Sequence, residues 1–220
     1  MTKRHLKKLI KKYGDCFGSG SYIYSLYFSI TLLALSLVAN LYSSAYATEK
    51  ASNYVTDIIL SNTQVWDVDG LFIYGPVFLW AFVLLLLLNE PKKINFTLKS
   101  VALFVFVRSA FVMATHLGPF PTQVEIDPLS LLGNLMGGGD YFFSGHTGLP
   151  FLLALLFWNN IYLRFFFVLS SIGFGAIVLL GHLHYSIDVL AAFFVTYTVY
   201  HVAESIFKKD KKAFHGGAEI

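Results

Sequence analysis

Runs of about twenty residues with almost no charge recur along this chain, and nothing else in it constrains the fold as strongly. The stretch from Leu71 to Leu88 reads LFIYGPVFLWAFVLLLLL and holds no ionisable acid, base or histidine. A hydrocarbon core about 30 Å thick is crossed by roughly 17 to 25 mostly apolar residues in a helix. Lipid offers no partner to backbone N–H and C=O groups, and these runs are continuous rather than alternating, so helices are expected and a β-barrel is not. Charged residues make up 13% of the chain, about half the share usual in soluble domains. The sequence therefore reads as an all-α integral membrane protein.

Six spans are expected: about Tyr22 to Tyr42, Leu71 to Leu88, Leu98 to Thr115, Gly148 to Tyr162, Phe165 to Leu180 and Ile187 to Phe207. The fourth and fifth come from one apolar stretch, interrupted by Trp158-Asn159-Asn160 and Arg164. The expected organisation is a basic N-terminus over 1–21, a six-span helical bundle over 22–207 and a basic tail over 208–220, without repeats.

The basic residues orient the bundle by the positive-inside rule. Lys3, Arg4, Lys7, Lys8, Lys11 and Lys12 precede the first span, and Lys92, Lys93 and Lys99 fall between the second and third. Arg164 falls between the fourth and fifth, and Lys208, Lys209, Lys211 and Lys212 follow the last. Fourteen of the sixteen basic residues thus share one side, leaving Lys50 opposite and Arg108 inside the third span. Both termini are expected in the cytosol, with loops of about 47–70, 116–147 and 181–186 on the far face. Reading 148–180 as one span would send the C-terminal lysines outward, so the parity favours two.

A basic stretch, an apolar run and then SSAYA also resembles a signal peptide, but an apolar run of about twenty residues exceeds the usual 7 to 15 and favours a retained span. The net charge of +3 calls for no nucleic acid partner; topology and anionic lipid at the cytosolic surface account for it. Cys16 is the sole cysteine, which excludes a disulfide framework and a thiolate metal site.

Polar groups at membrane depth are costly, so their positions carry information. Asp140, Ser144, Gly145, His146 and Thr147 stand where the fourth span begins, and His182, His184, Ser186 and Asp188 where the sixth begins. Pro150 fits a first helical turn, which starts the fourth helix near Ser144 to Thr147 with Ser144 or Thr147 as cap. His146 then stands at a helix N-terminus, where free N–H groups and the positive end of the dipole favour an anion such as phosphate. The triglycine at 137–139 and Gly145 would let backbone approach a substrate closely. His184 and Asp188 are four apart, the spacing that lets a carboxylate fix one imidazole tautomer and aim the other nitrogen as a base or nucleophile.

Plainer readings stand beside these. His116 and His201 fit headgroup-level interface residues, Arg108 could reach to the outer surface, and the aromatics of DYFF could form an interfacial belt. His182, His184 and Asp188 could bind zinc or copper, although no cysteine assists and a substrate phosphate would explain the same groups.

GDYFFSGHT at 139–147 and HYSIDV at 184–189 resemble the paired signature of the sphingomyelin synthase family, a branch of the type 2 phosphatidic acid phosphatase (lipid phosphate phosphatase) superfamily. GHLHYSIDVLAAFF and RSAFVMATHLGPFP extend the likeness over most of the chain from about residue 70. The resemblance implies that His184 is the nucleophile, Asp188 orients it, and His146 is the acid and base. It implies transfer of a phosphocholine or phosphoethanolamine headgroup from phosphatidylcholine or phosphatidylethanolamine to ceramide through a phosphohistidine, with release of diacylglycerol and no metal or other cofactor. The chemistry would face the non-cytosolic side. Arg108, Asp140, Tyr141, Ser144, Gly145, Thr147 and Tyr185 are the expected substrate-binding residues. The faces of Tyr141, Phe142 and Tyr185 suit choline, and Asp140 or Glu125 suits ethanolamine.

Two departures bear on the reaction. The phosphatase branch carries a Lys and Arg pair in its first motif and an arginine ahead of the last histidine; here Val178 stands six residues before His184. A phosphomonoester carries nearly two negative charges and wants such a clamp, whereas a zwitterionic phosphodiester carries one, so headgroup transfer is expected over monoester hydrolysis. Gly139 also stands where the synthases usually carry cysteine.

Overall fold

The computed structural model of the chain describes residues 3–124 and 142–216. Among the described residues eight α-helices follow one another: α1 Lys3–Phe17, α2 Gly20–Glu49, α3 Asp69–Asn89, α4 Ile94–Ala114, α5 Gly145–Leu156, α6 Ile161–Leu180, α7 Ser186–Ile206 and α8 Lys208–Phe214. Short 3₁₀ turns occupy Leu60–Asn62 and Pro91–Lys93, and the described residues contain no strand. Helices α2, α3, α4, α6 and α7 are long and apolar enough to cross a membrane. The fourth expected span, α5, has only 12 residues, about 18 Å of helix. It need not match the hydrocarbon thickness by itself, because Leu152, Leu153, Ala154 and Leu156 are buried against neighbouring helices. The stretch 148–180 does break into two helices, with a turn at 157–160 and Asn160 accepting from the N–H groups of Tyr162 and Leu163.

Helix α4 packs against α2, α5, α7 and α8 and forms the middle of the bundle. Its contact with α2 rests on three serines spaced seven residues apart. Ser29, Ser36 and Ser43 are fully buried, and each hydroxyl bonds a carbonyl of its own helix: Ser25, Leu33 and Asn40 respectively. Small side chains that satisfy themselves let two backbones approach closely in lipid. Glycine does the same where α5 meets α4 and α7: a Cβ on Gly148 would stand 2.7 Å from the Phe104 ring and 2.9 Å from Thr196 Oγ1.

Two elements were not expected. The basic N-terminus is the helix α1, in which Leu6, Leu9, Ile10 and Tyr13 recur at helical spacing among lysines. Leu6 and Ile10 remain exposed, as suits a helix lying in a membrane interface. The C-terminal lysines form α8, whose Phe214 packs on Phe96 and Phe157. In addition, α2 continues to Glu49, seven residues past the expected end at Tyr42.

The basic elements gather at one end. Lys12 pairs with Glu90 at 2.6 Å, the Tyr22 hydroxyl donates to Pro91 O, and buried Lys99 reaches Asp210 at 2.6 Å and Ser25 at 2.8 Å. The opposite end is woven from loops. Ser52 N donates to His116 O, Trp66 N to Leu180 O, and Val124 N to Gly181 O. The two histidine motifs lie at this second end.

Candidate active site

The Ser-Gly-His motif opens α5. Ser144 is its N-cap, with Oγ accepting from Thr147 N at 3.3 Å and from the Thr147 hydroxyl at 3.2 Å. Thr147 is thereby a buried structural residue, and its carbonyl accepts from Ser171 Oγ at 2.7 Å. The first-turn N–H groups of Gly145 and His146 have no partner within the helix, as at any helix start.

Arg108, buried in α4, lies against this turn. Its Nε donates to Phe143 O at 2.9 Å and its Nη1 to Asn40 Oδ1 at 3.2 Å. A Cβ at Gly145 would come within 3.2 Å of the Arg108 Nε, so glycine there lets the guanidinium run beside the helix N-terminus. Positive potential from the cation and from the α5 dipole coincides.

His146 is the second residue of α5. Its ring stacks on Phe72 at a centroid distance of 4.1 Å, and Nε2 lies 3.2 Å from the Phe72 carbonyl oxygen. A carbonyl only accepts, so Nε2 carries a proton and Nδ1 is left to exchange one. His146 also lies within electrostatic reach of both His184 and Arg108.

The second motif precedes and opens α7. His184 Nδ1 stands 3.5 Å from Asp188 Oδ2, and both residues are buried. Tyr185 N donates to the same carboxylate oxygen at 2.9 Å, so Asp188 both caps α7 and faces the imidazole. Its other oxygen, Oδ1, is buried and has no hydrogen-bond partner among the described residues. The motifs meet directly, because Ser144 N donates to Asp188 O at 3.2 Å. Arg108, the α5 turn carrying His146, and the His184–Asp188 pair therefore form one connected group.

The remaining candidates divide. Tyr185 is almost wholly buried, its hydroxyl donating to Gly118 O at 2.8 Å and accepting from Val55 N at 3.4 Å, which makes it a strut for the loops. Asp140, Tyr141, Glu125 and the triglycine lie outside the described residues. His182 is held with φ 53°, its Nδ1 2.6 Å from Thr122 Oγ1 and its Nε2 3.3 Å from Thr63 Oγ1. Both nitrogens are thus engaged in tying loops together, and no metal-ligand cluster occurs among the described residues. His201 is an exposed partner of Glu204 at the basic end, and His116 meets Tyr46 edge to face.

Sequence reading missed Asp57. Its Oδ2 accepts from Ser186 N and Ser186 Oγ, both at 2.7 Å, and its Oδ1 from Ile59 N and Leu60 N. Burial alone would raise its carboxyl pKa, but the hydrogen bonds from Ser186, Leu60 and Ile59 outweigh this and hold it below its ordinary value. Asp57 and Asp188 together occupy the N-terminus of α7, so an anion would have to use the start of α5 rather than that of α7. Asn40 and the Phe72 carbonyl were also missed; of the three, Asn40 had the clearer signal, as an amide deep in the first apolar run.

Residues 137–205, which contain both histidine motifs, match a family model described as PAP2 superfamily C-terminal. No curated protein and no solved structure gives a significant match. The matched segment is about a third of the chain, and its likeness to the type 2 phosphatidic acid phosphatase superfamily supports an enzyme of the phosphatase or phosphotransferase kind that acts on membrane lipids.

Proposed function

We propose that the protein is a membrane phosphotransferase that moves a phosphocholine or phosphoethanolamine headgroup from a glycerophospholipid to ceramide, in the manner of the sphingomyelin synthases. The observation that carries this reading is the arrangement around Arg108: a single guanidinium beside the α5 N-terminus, in one connected group with a histidine set to exchange a proton and another backed by a carboxylate. The only other basic side chain in this half of the sequence pattern, Lys50, is exposed and paired with Glu49. One buried cation suits a phosphodiester with one negative charge better than a monoester with nearly two.

In the first half-reaction His184, oriented through Nδ1 by Asp188, attacks phosphorus with Nε2. The bond from phosphorus to the glycerol oxygen breaks as the P–N bond forms, and His146 Nδ1 gives its proton to the departing diacylglycerol. In the second, His146 takes the proton of the ceramide primary hydroxyl, whose oxygen displaces His184 from phosphorus. Arg108 and the first-turn N–H groups of α5 stabilise the charge that builds on the equatorial oxygens. Most of the acceleration in such a transfer comes from positioning and electrostatics. The chemistry takes place at the non-cytosolic face, since the opposite end carries the lysines.

Hydrolysis on the same fold is the second reading. The superfamily likeness supports it equally, with water replacing ceramide in the second half. Purified protein in liposomes with fluorescent ceramide and either phosphatidylcholine or phosphatidylethanolamine separates the two. A fluorescent sphingophospholipid plus an equal amount of diacylglycerol is expected. Diacylglycerol with free phosphocholine and no labelled sphingolipid would establish hydrolysis instead. No turnover in any mixture, with His184→Ala indistinguishable from the parent, would leave a non-catalytic lipid-binding protein.

A further inference from the structure

A cavity of about 610 Å³ opens at the basic end of the bundle, far from the histidines. Its walls come from the Pro91–Lys93 turn, the α5–α6 turn and the end of α8. Lys92 and Lys93 both line it, and neither makes an ion pair among the described residues. The acid in the same wall, Glu90, is neutralised by Lys12 at 2.6 Å, so the cavity keeps a surplus of positive charge. Lys93 Nζ is held over the rings of buried Phe157 and Phe214, at 5.3 and 5.4 Å from their centroids. Those contacts fix the ammonium at the cavity wall with apolar surface directly behind it.

Two polar groups complete the lining. Asn159 Nδ2 lies 3.5 Å from His215 Nδ1; an amide nitrogen only donates, which places the imidazole proton on Nε2 as a further donor. Burial, with Lys211 next in effect, holds the His215 pKa below its ordinary value, so the ring is a neutral donor and the two lysines supply the charge. The N-terminus of α6 adds little, because Asn160 already caps it. Ile161 and Tyr162, both exposed, line the same cavity and offer contact to hydrocarbon.

We infer that this cavity binds the phosphate headgroup of an anionic phospholipid in the leaflet at the basic end. Basic pockets between membrane helices on the cytosolic side are suited to such headgroups. A soluble phosphate would use the lysines and leave the apolar wall of Phe157, Ile161 and Tyr162 without a role. A lipid uses both. The bound lipid would bridge the α3–α4 turn, the α5–α6 turn and α8, three pieces of chain that otherwise meet through few polar bonds.

The test takes the full chain in dodecyl maltoside micelles, titrated with dioleoyl phosphatidylglycerol, dioleoyl phosphatidylcholine or inorganic phosphate, and counts bound lipid by native mass spectrometry. Phosphatidylglycerol should be retained at least tenfold more tightly than phosphatidylcholine, and millimolar inorganic phosphate should not displace it. A Lys92→Gln, Lys93→Gln double variant should bind it roughly ten to thirty times more weakly, at about a tenfold per 1.4 kcal/mol. Lys93→Arg keeps both the charge and the ring contacts and should bind like the parent, whereas Lys92→Gln alone, which leaves the Lys93 ring contacts intact, should already weaken binding several-fold. Equal retention of the two lipids, full retention by the double variant, or displacement by inorganic phosphate would each overturn the inference. His184→Ala should bind phosphatidylglycerol normally, so the result is independent of the proposed catalysis.

Discussion

At the scale of single residues, the site depends on where two imidazoles can put their protons. Asp188 faces His184 Nδ1 and also accepts from Tyr185 N. Asp188→Asn keeps the shape and much of the cap but removes the charge that stabilises a phosphorylated or protonated ring. Turnover in liposomes should fall by roughly 10² to 10⁴, with thermal stability changed far less than turnover. Gly145→Ala tests the cradle separately. The added methyl would press on Arg108 Nε from 3.2 Å, and a displaced guanidinium should cost several-fold in kcat/KM, because small misplacements at a reacting centre are expensive in rate. Arg108→Lys should not restore the parent activity, since one ammonium cannot serve Phe143 O and Asn40 Oδ1 in the geometry of a guanidinium fork.

Elements carry the second kind of dependence. The buried serines of α2 predict that Ser36→Leu destabilises the bundle by about 1 to 3 kcal/mol through overpacking against α4, measurable by thermal unfolding in detergent; Leu35→Met or Leu37→Met at the exposed neighbouring positions should be nearly silent. At the opposite end, the loops hang on two titrating groups. Burial holds neutral His182 below its ordinary pKa, partly opposed by the charge of Asp57. As pH falls through about 6.5 the unfolded chain takes up a proton that the folded one resists, and stability drops. Asp57 has the depressed carboxyl, so its contribution is present above pH about 4 and is lost as pH falls below that. Melting temperature followed from pH 8 to 3 should decline in these two stages. His182→Asn, an acceptable residue at positive φ, should shrink the first, to which His215 also contributes, and Asp57→Asn the second, to which Glu204 also contributes. The helices themselves were legible because hydropathy and charge are local: each span announces itself within twenty residues. Helix α1 was not, since Leu6, Leu9 and Ile10 are scattered among lysines and make sense only once wound at 3.6 residues per turn. Asp57 was less legible still, because its partner Ser186 is 129 residues away and nothing in the Asp57 neighbourhood names it.

For the molecule as a whole, charge asymmetry was the most informative property of the sequence. It assigns both histidine motifs to one end, and the described residues place Ser144 and Asp188 in direct contact there. What the sequence could not supply were partners that are backbone atoms, such as the carbonyls of Phe72 and Phe143, or meetings of distant polar groups, such as Asn40 with Arg108. The resulting division is one of chemical groups: one end gathers the lysines and the cavity they line, and the other gathers two histidines, an aspartate and one arginine.

The central claim is that these four residues perform phosphoryl transfer through His184. The most direct measurement is mass spectrometry of the protein after brief incubation with phosphatidylcholine and no acceptor, quenched in alkali to preserve a phosphoramidate. A phosphocholine adduct on the peptide containing His184 is predicted, cleared on addition of ceramide and absent in His184→Ala. Turnover of lipid by the parent with no adduct at His184, and undiminished turnover by His184→Ala, would contradict the account.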